Sequence, residues 1–218
     1  MRLKVQAACD RCGRDPESVK LVAVTKKFTA DVVREASDCG LRIMGENRVQ
    51  EALQKIPDCP SMLDWHLIGH LQTNKARQAV HCFSTIHSVD SERLIHALQD
   101  AADRDSGQLT VLLQVNISGE MQKAGCRPEE VPTLIQRLKA CPALHLQGLM
   151  TMPPWNPDPE KSRPVFQQLR TLRNRLEDEC LTALPELSMG MSHDFEVAIE
   201  EGATYVRLGT ALFGARKG

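Results

Sequence analysis

The chain has 218 residues, 42% hydrophobic and 25% charged, which is the composition of an ordinary soluble globular protein with a full-sized core. Its 27 basic and 28 acidic side chains are interspersed and leave a formal net charge of −1, so it lacks the basic stripe that marks a nucleic-acid binder. No apolar leader follows Met1, no apolar run approaches the roughly 18 residues of a membrane span, and the eight cysteines are scattered, so a cytoplasmic protein with reduced thiols and no membrane partner is expected.

A first helix is expected over residues 4–12. Its Cys9 and Cys12 have CxxC spacing, but no second cysteine pair or histidine pair completes a zinc site, and no metal is expected. Beyond it, short apolar runs alternate with amphipathic segments. Strands are read at 21–25 (LVAVT), 41–45 (LRIMG), 65–69 (WHLIG), 84–89 (STIHSV), 110–117 (TVLLQVNI), 146–150 (LQGLM), 187–191 (LSMGM) and 205–209 (YVRLG). Helices fall at 29–39, 47–55, 74–81, 91–104, 127–140, 162–184 and 193–201, with Thr29 as an N-cap and Gly40 and Gly202 as stops. The Pro-rich piece 152–159 (MPPWNPDP) reads as a loop after the sixth strand.

Eight strand–helix units predict a single (β/α)8 TIM barrel occupying 1–218 as one domain. A doubly wound open sheet is the alternative, but that fold favours a glycine-rich turn after the first strand, where Val24-Thr25-Lys26-Lys27 stands instead. In such a barrel the chemistry sits at the C-terminal ends of the strands. Those ends carry Lys26, Gly45-Glu46-Asn47, His66, Asn116, Met150, Met191-Ser192-His193, and Arg207 with Gly209 and Thr210.

Gly190-Met191-Ser192 and Leu208-Gly209-Thr210 each lead from a strand into a helix, after strands seven and eight. Loops there often hold a phosphate, although Ser192 and Thr210 also fit plain N-caps. Lys26 lies on the face of Val22 and Val24 and reads either as a solvated strand-end charge or as a nucleophilic amine at the barrel mouth. Arg207, between Val206 and Leu208, is costly to bury without a partner. His66 reads as a core histidine bonded to a backbone carbonyl; His70, His87 and His193 read as loop or surface residues, and Asp194 and Glu196 as solvent-facing. A lysine facing a phosphate site is the constellation for pyridoxal 5′-phosphate (PLP), and an arginine beside the pyridine nitrogen keeps that nitrogen unprotonated.

The segments LVAVTK, MGENRVQE, WHLIGHLQTNK, QVNISGEMQKAG, LQGLMTM, LSMGMSHDFEVAIEEG and VRLGTALFG occur together and in order. With them the chain resembles the YggS/PROSC family of PLP-binding proteins, the PLP homeostasis proteins, from about residue 19 to 216. The resemblance implies a fold-type III barrel like the N-terminal half of bacterial alanine racemase, with PLP held as a Schiff base on Lys26. It also implies a phosphate site at Ser192, Gly209 and Thr210 beside Met191, a pyridine-nitrogen contact from Arg207, and pocket positions for Asn47, His66 and Met150. Many relatives have threonine and proline after the PLP lysine, whereas this chain reads Lys26-Lys27-Phe28-Thr29, so Lys27 is a second candidate for PLP.

What the resemblance implies about function is PLP carriage without substantial catalysis, with PLP-accepting apoenzymes as partners and a monomer expected. A weak PLP-dependent racemase is the alternative, although racemases of this fold use a second domain and a tyrosine base. The lone tyrosine, Tyr205, precedes Arg207 on the same strand face and should lie deeper in the barrel. A lysine Schiff-base aldolase would better suit a lysine on a middle strand, and strand six has none.

Overall fold

The computed structural model describes residues 1–214 except 106, 121 and 123; Met121 and Lys123 of the QVNISGEMQKAG segment and the chain's end from 215 lie outside the described residues. Eight parallel strands close into a barrel in sequence order, β8 pairing with β1. They are β1 (Lys20–Val24), β2 (Ile43–Glu46), β3 (Asp64–Leu67), β4 (Thr85–Val89), β5 (Leu109–Gln114), β6 (Leu144–Met150), β7 (Glu186–Met191) and β8 (Tyr205–Leu208). The helices are α1 (Arg2–Cys12), α2 (Ala30–Asp38), α3 (Val49–Lys55), α4 (Ala76–Cys82), α5 (Glu92–Arg104), α6 (Val131–Lys139), α7 (Arg163–Cys180), α8 (Phe195–Glu200) and α9 (Thr210–Phe213). The expected barrel and all eight expected strands are present, with ends shifted by a few residues.

The strands read as near-continuous apolar runs because both of their faces are covered, one by helices and the other by the barrel interior. Outward-facing residues and the helices' apolar stripes make one large aliphatic core. On α5 the buried residues Leu94, Ile95, Leu98, Ala101 and Ala102 recur at helical spacing, as do Phe166, Leu169, Leu172 and Leu176 on α7. A separate, smaller cluster of Val22, Val24, Ile68, Leu112, Met150 and Tyr205 fills the barrel itself.

Three boundaries depart from expectation by three residues or more. α7 ends at Cys180 rather than near 184, because Leu181 turns into the left-handed region at φ 46°. α6 starts later than 127, after a 3-10 turn at Pro128–Glu130. β5 ends at Gln114 rather than 117: Asn116 instead ties down the following loop, its Nδ2 donating to Glu120 O at 2.8 Å.

Candidate functional site

A cleft of about 380 Å³ opens at the C-terminal end of the barrel, and Lys26, Asn47, Met191, Ser192, Arg207, Gly209 and Thr210 all line it. Three local arrangements put them there.

The first sets the lysine. Thr25 is wholly buried; its carbonyl accepts the Phe28 N–H at 3.0 Å and Lys55 Nζ at 2.8 Å, while its hydroxyl donates to Glu46 Oε1 at 2.7 Å. Lys55 also donates to Glu46 Oε1, at 2.5 Å, and both side chains are buried. Burial pushes the Glu46 carboxyl up, and the Lys55 ammonium opposes that shift. This anchored turn carries Lys26, half-buried, into the cleft. Lys27 follows at φ 65° with its N–H bonded to Glu51, and its exposed side chain does not line the cleft.

The second arrangement joins the ends of β7 and β8. Gly190 has φ 88°, and a Cβ there would sit 2.5 Å from Ala198 Cβ, so the tight turn off β7 requires glycine. Asp194 holds the turn: it accepts the Met191 N–H at 2.7 Å and the Ser162 hydroxyl at 2.8 Å. It is buried, not solvent-facing as the sequence suggested, because these two donors offset the cost of enclosing a carboxylate. Ser192 is thereby brought against the start of α9, where its Oγ accepts the N–H groups of Gly209 at 3.0 Å and Ala211 at 3.1 Å. Ser192, Gly209 and Thr210 thus form one wall of the cleft, with the Ser192 hydroxyl held by two backbone amides.

The third lies on the floor. Arg207 is buried; its Nη1 donates to Ser188 Oγ at 2.6 Å and its Nη2 to Thr151 O at 2.9 Å. Desolvation pushes the guanidinium down to about 10, with the Asp194 charge opposing, so it remains a cation at neutral pH. Met150 and His66 do not reach the cleft but are buried beneath it, Met150 in the inner apolar cluster. His66 bonds no backbone carbonyl: its ring nitrogens meet His87 Nε2 at 2.9 Å and Asp64 Oδ2 at 3.1 Å. His87, expected on a loop or the surface, is fully buried on β4 and bonds Ser188 Oγ on β7 at 2.8 Å. β4 and β7 are not neighbours in the ring, so this bond crosses the barrel interior. Tyr205 stands with the two histidines, its ring 5.5 Å from His66 and 5.3 Å from His87.

The outer cleft was not legible as a site. It is lined by His70, Gln114, Met152, Trp155 and His193; Trp155 is 74% exposed on the Pro-rich loop, its ring 6.1 Å from that of His193. Gly69 lets the segment after β3 approach the end of β2, since a Cβ there would meet Asn47 O at 2.3 Å. A proline-rich loop following a strand end was the available signal for Trp155. A larger groove of about 480 Å³ beside α7 is lined by Gln167, Gln168, Thr171 and Arg175 and holds none of the expected site residues. Among the described residues no cluster of potential metal ligands occurs, and no helix is long and apolar enough to cross a membrane.

Residues 3–217 match the family described as alanine racemase, N-terminal domain. The pyridoxal phosphate homeostasis protein of Aquifex aeolicus (strain VF5) is 46% identical over 215 residues, covering 98% of this chain and 94% of the relative. PipY of Synechococcus elongatus PCC7942, solved with PLP bound, is 39% identical with a TM-score of 0.85, over 97% of this chain and all (100%) of that one. An alanine racemase from Clostridium difficile 630, at 15% identity and a TM-score of 0.79, covers all (100%) of this chain with 57% of its own and shares the fold. A barrel with a lysine, a wall of Ser192, Gly209 and Thr210 and a buried arginine at one mouth, and relatives this similar over nearly their full length, lead to one conclusion: the chain belongs to the pyridoxal phosphate homeostasis protein family.

Proposed function

We propose that this chain, as one barrel domain over residues 1–218, binds PLP and serves PLP homeostasis as a carrier, without substantial catalysis. The observation that carries the reading is the convergence of Lys26, Ser192, Thr210 and Arg207 on a single cleft.

The residues present suit the group. The hydroxyls of Ser192 and Thr210 line one wall as neutral donors for a phosphate, and the amides of Gly209 and Ala211 hold the Ser192 hydroxyl in place there. Arg207 offers a charged donor at the floor, where the partner compatible with a cation is an unprotonated ring nitrogen. Asn47 Oδ1 is buried with no hydrogen-bond partner among the described residues, an acceptor suited to a ligand hydroxyl. Bound PLP supplies an aldehyde that condenses with a lysine amine to a Schiff base, and Lys26 is the lysine lining the cleft. Met191 flanks the phosphate wall; His66 and Met150 support the floor from below. The partners are PLP itself and PLP-accepting apoenzymes, and the protein acts as a cytoplasmic monomer.

A racemase needs a second acid/base opposite Lys26. Tyr205, the one tyrosine, lies in the inner cluster below the cleft, with Lys20 Nζ 4.8 Å from its ring centre, and burial raises its phenol. That placement favours carriage over turnover.

The test loads purified protein with PLP, reduces it with borohydride and maps the modified peptide. Modification is expected at Lys26, and Lys26→Ala should lose the visible absorbance while keeping part of the phosphate-held PLP. Modification at Lys27 or Lys55 instead would overturn the assignment, and robust amino-acid racemisation by the loaded protein would overturn the carrier reading.

A further inference from the structure

One line of hydrogen bonds joins the cleft to the opposite end of the barrel. It runs from Arg207 Nη1 to Ser188 Oγ at 2.6 Å, on to His87 Nδ1 at 2.8 Å, from His87 Nε2 to His66 Nδ1 at 2.9 Å, and from His66 Nε2 to Asp64 Oδ2 at 3.1 Å. Its members come from β8, β7, β4 and β3, so it crosses the ring rather than following a strand. Arg207, Ser188, His87 and His66 are buried. Asp64 begins β3 with its side chain 44% exposed, where Ser84 Oγ donates to its other oxygen.

We propose that this chain of bonds has a single direction, from guanidinium to carboxylate, and that by fixing His87 and His66 as neutral Nε2–H tautomers it makes Ser188, His87, His66 and Asp64 positioning residues for Arg207. The direction follows from the two ends. A guanidinium only donates and a carboxylate only accepts. With His66 neutral, Asp64 requires its one proton on Nε2, which leaves His66 Nδ1 bare to accept from His87 Nε2–H. His87 Nδ1 is then bare and takes the Ser188 hydroxyl proton, while Ser188 Oγ accepts from Arg207. The reverse order would set two acceptors, His66 Nε2 and Asp64 Oδ2, against each other at 3.1 Å. An imidazolium at His87 would be a second buried cation near Arg207; burial foremost, with His66 and Arg207 adding to it, holds His87 well below the usual histidine range.

Each hydroxyl or imidazole in such a line both accepts and donates, so the bonds polarise one another in the same sense. The effect is to tether one arm of the guanidinium, the other being held by Thr151 O, and so to set the orientation in which Arg207 faces the cleft. The consequence for the cofactor rests on the proposed PLP site; the direction of the bonds does not.

Two measurements on the full chain separate these. Long-range nitrogen–proton NMR on protein prepared without PLP, at neutral pH, should show His66 and His87 both as Nε2–H tautomers. An Nδ1–H tautomer or an imidazolium at either would overturn the direction. In PLP-loaded protein, Ser188→Ala cuts the line beside Arg207, and Asp64→Ala cuts it at its half-exposed end, where folding is least at risk. Ser188→Ala should shift the visible absorption in the sense of Arg207→Ala and weaken PLP retention about tenfold, the scale of one hydrogen bond to a charged group. Asp64→Ala should shift the absorption in the same sense by less and release the His66 tautomer. Leu149→Ala, which opens a cavity on the outer wall, should move neither signal. Unchanged absorption in both Ser188→Ala and Asp64→Ala with PLP bound would overturn the positioning role. The expected tautomers in a protein that takes up no PLP would sink the site reading and leave the direction standing.

Discussion

The two faces of the same eight strands are built from different chemistry. Outward, aliphatic side chains meet the stripes of the helices in one continuous core, with Phe166, Leu98, Ile135 and Leu149 fully buried. Inward, a small apolar cluster shares the barrel with a polar line through His66, His87, Ser188 and Arg207. The outer face gains from every apolar contact and tolerates exchange among aliphatics of similar volume. The inner face has buried groups that each need a named partner, so its composition is set by hydrogen bonding and charge. The contrast assigns stability mainly to the outer face and ligand chemistry to the inner one.

The sharpest attempt to break that division is Phe166→Ala, which empties part of the outer core and should cost about 3–5 kcal/mol in chemical denaturation. Below its lowered melting point, the absorbance of bound PLP should be that of the parent protein. A displaced spectrum would mean that the two faces are not separable.

A smaller effect tests the inner face by pH. His87 is held well below the ordinary histidine value of about 6.5, so the folded state refuses a proton that the unfolded chain accepts below that pH. The stabilisation is complete above this value and is lost as the pH falls, by up to about 1.4 kcal/mol per pH unit for one proton. The groups facing His87 are His66, Ser188, Arg207 and the Tyr205 ring. The Asp64 carboxyl, lowered chiefly by its bond to His66, adds its own loss only in the acid carboxylate range. His87→Gln should flatten the slope of unfolding free energy between pH 7 and 5, and an unaltered slope would count against a buried neutral imidazole.

The smallest expected change is at Lys27. Its φ of 65° favours glycine, but glycine also adds freedom to the unfolded chain, so Lys27→Gly should alter stability by less than about 1 kcal/mol in either direction. PLP uptake should be unaffected in equilibrium dialysis. A marked loss of uptake would give Lys27 a role that its outward placement does not suggest.

The strands and the strand-end positions were legible because their signals are local. LVAVT and TVLLQV are apolar runs of strand length, and Lys26, Asn47, Ser192 and Thr210 follow such runs directly. The parity of β1 set Lys26 on the face of Val22 and Val24, and the anchored turn at Thr25 carries Lys26 into the cleft and Lys27 outward. His87, by contrast, sits in the half-polar run STIHSV, where nothing nearby distinguishes a surface imidazole from a buried one. Asp194 looked solvent-facing because the hydroxyl it accepts belongs to Ser162, a residue 32 positions away. His66 and Met150 were placed in the site by family likeness, and their depth beneath it depends on where the barrel's interior layers fall.

The sequence by itself determined the number, order and kind of the elements, and hence a closed barrel with its chemistry at one mouth. Periods of 2 and 3.6 residues are written into neighbouring positions and need no fold to be read. Only the tertiary structure decided which polar side chains meet inside. His87 and Ser188 are 101 residues apart, and no local pattern carries the fact that they are hydrogen-bonded; closing the ring brings them to 2.8 Å.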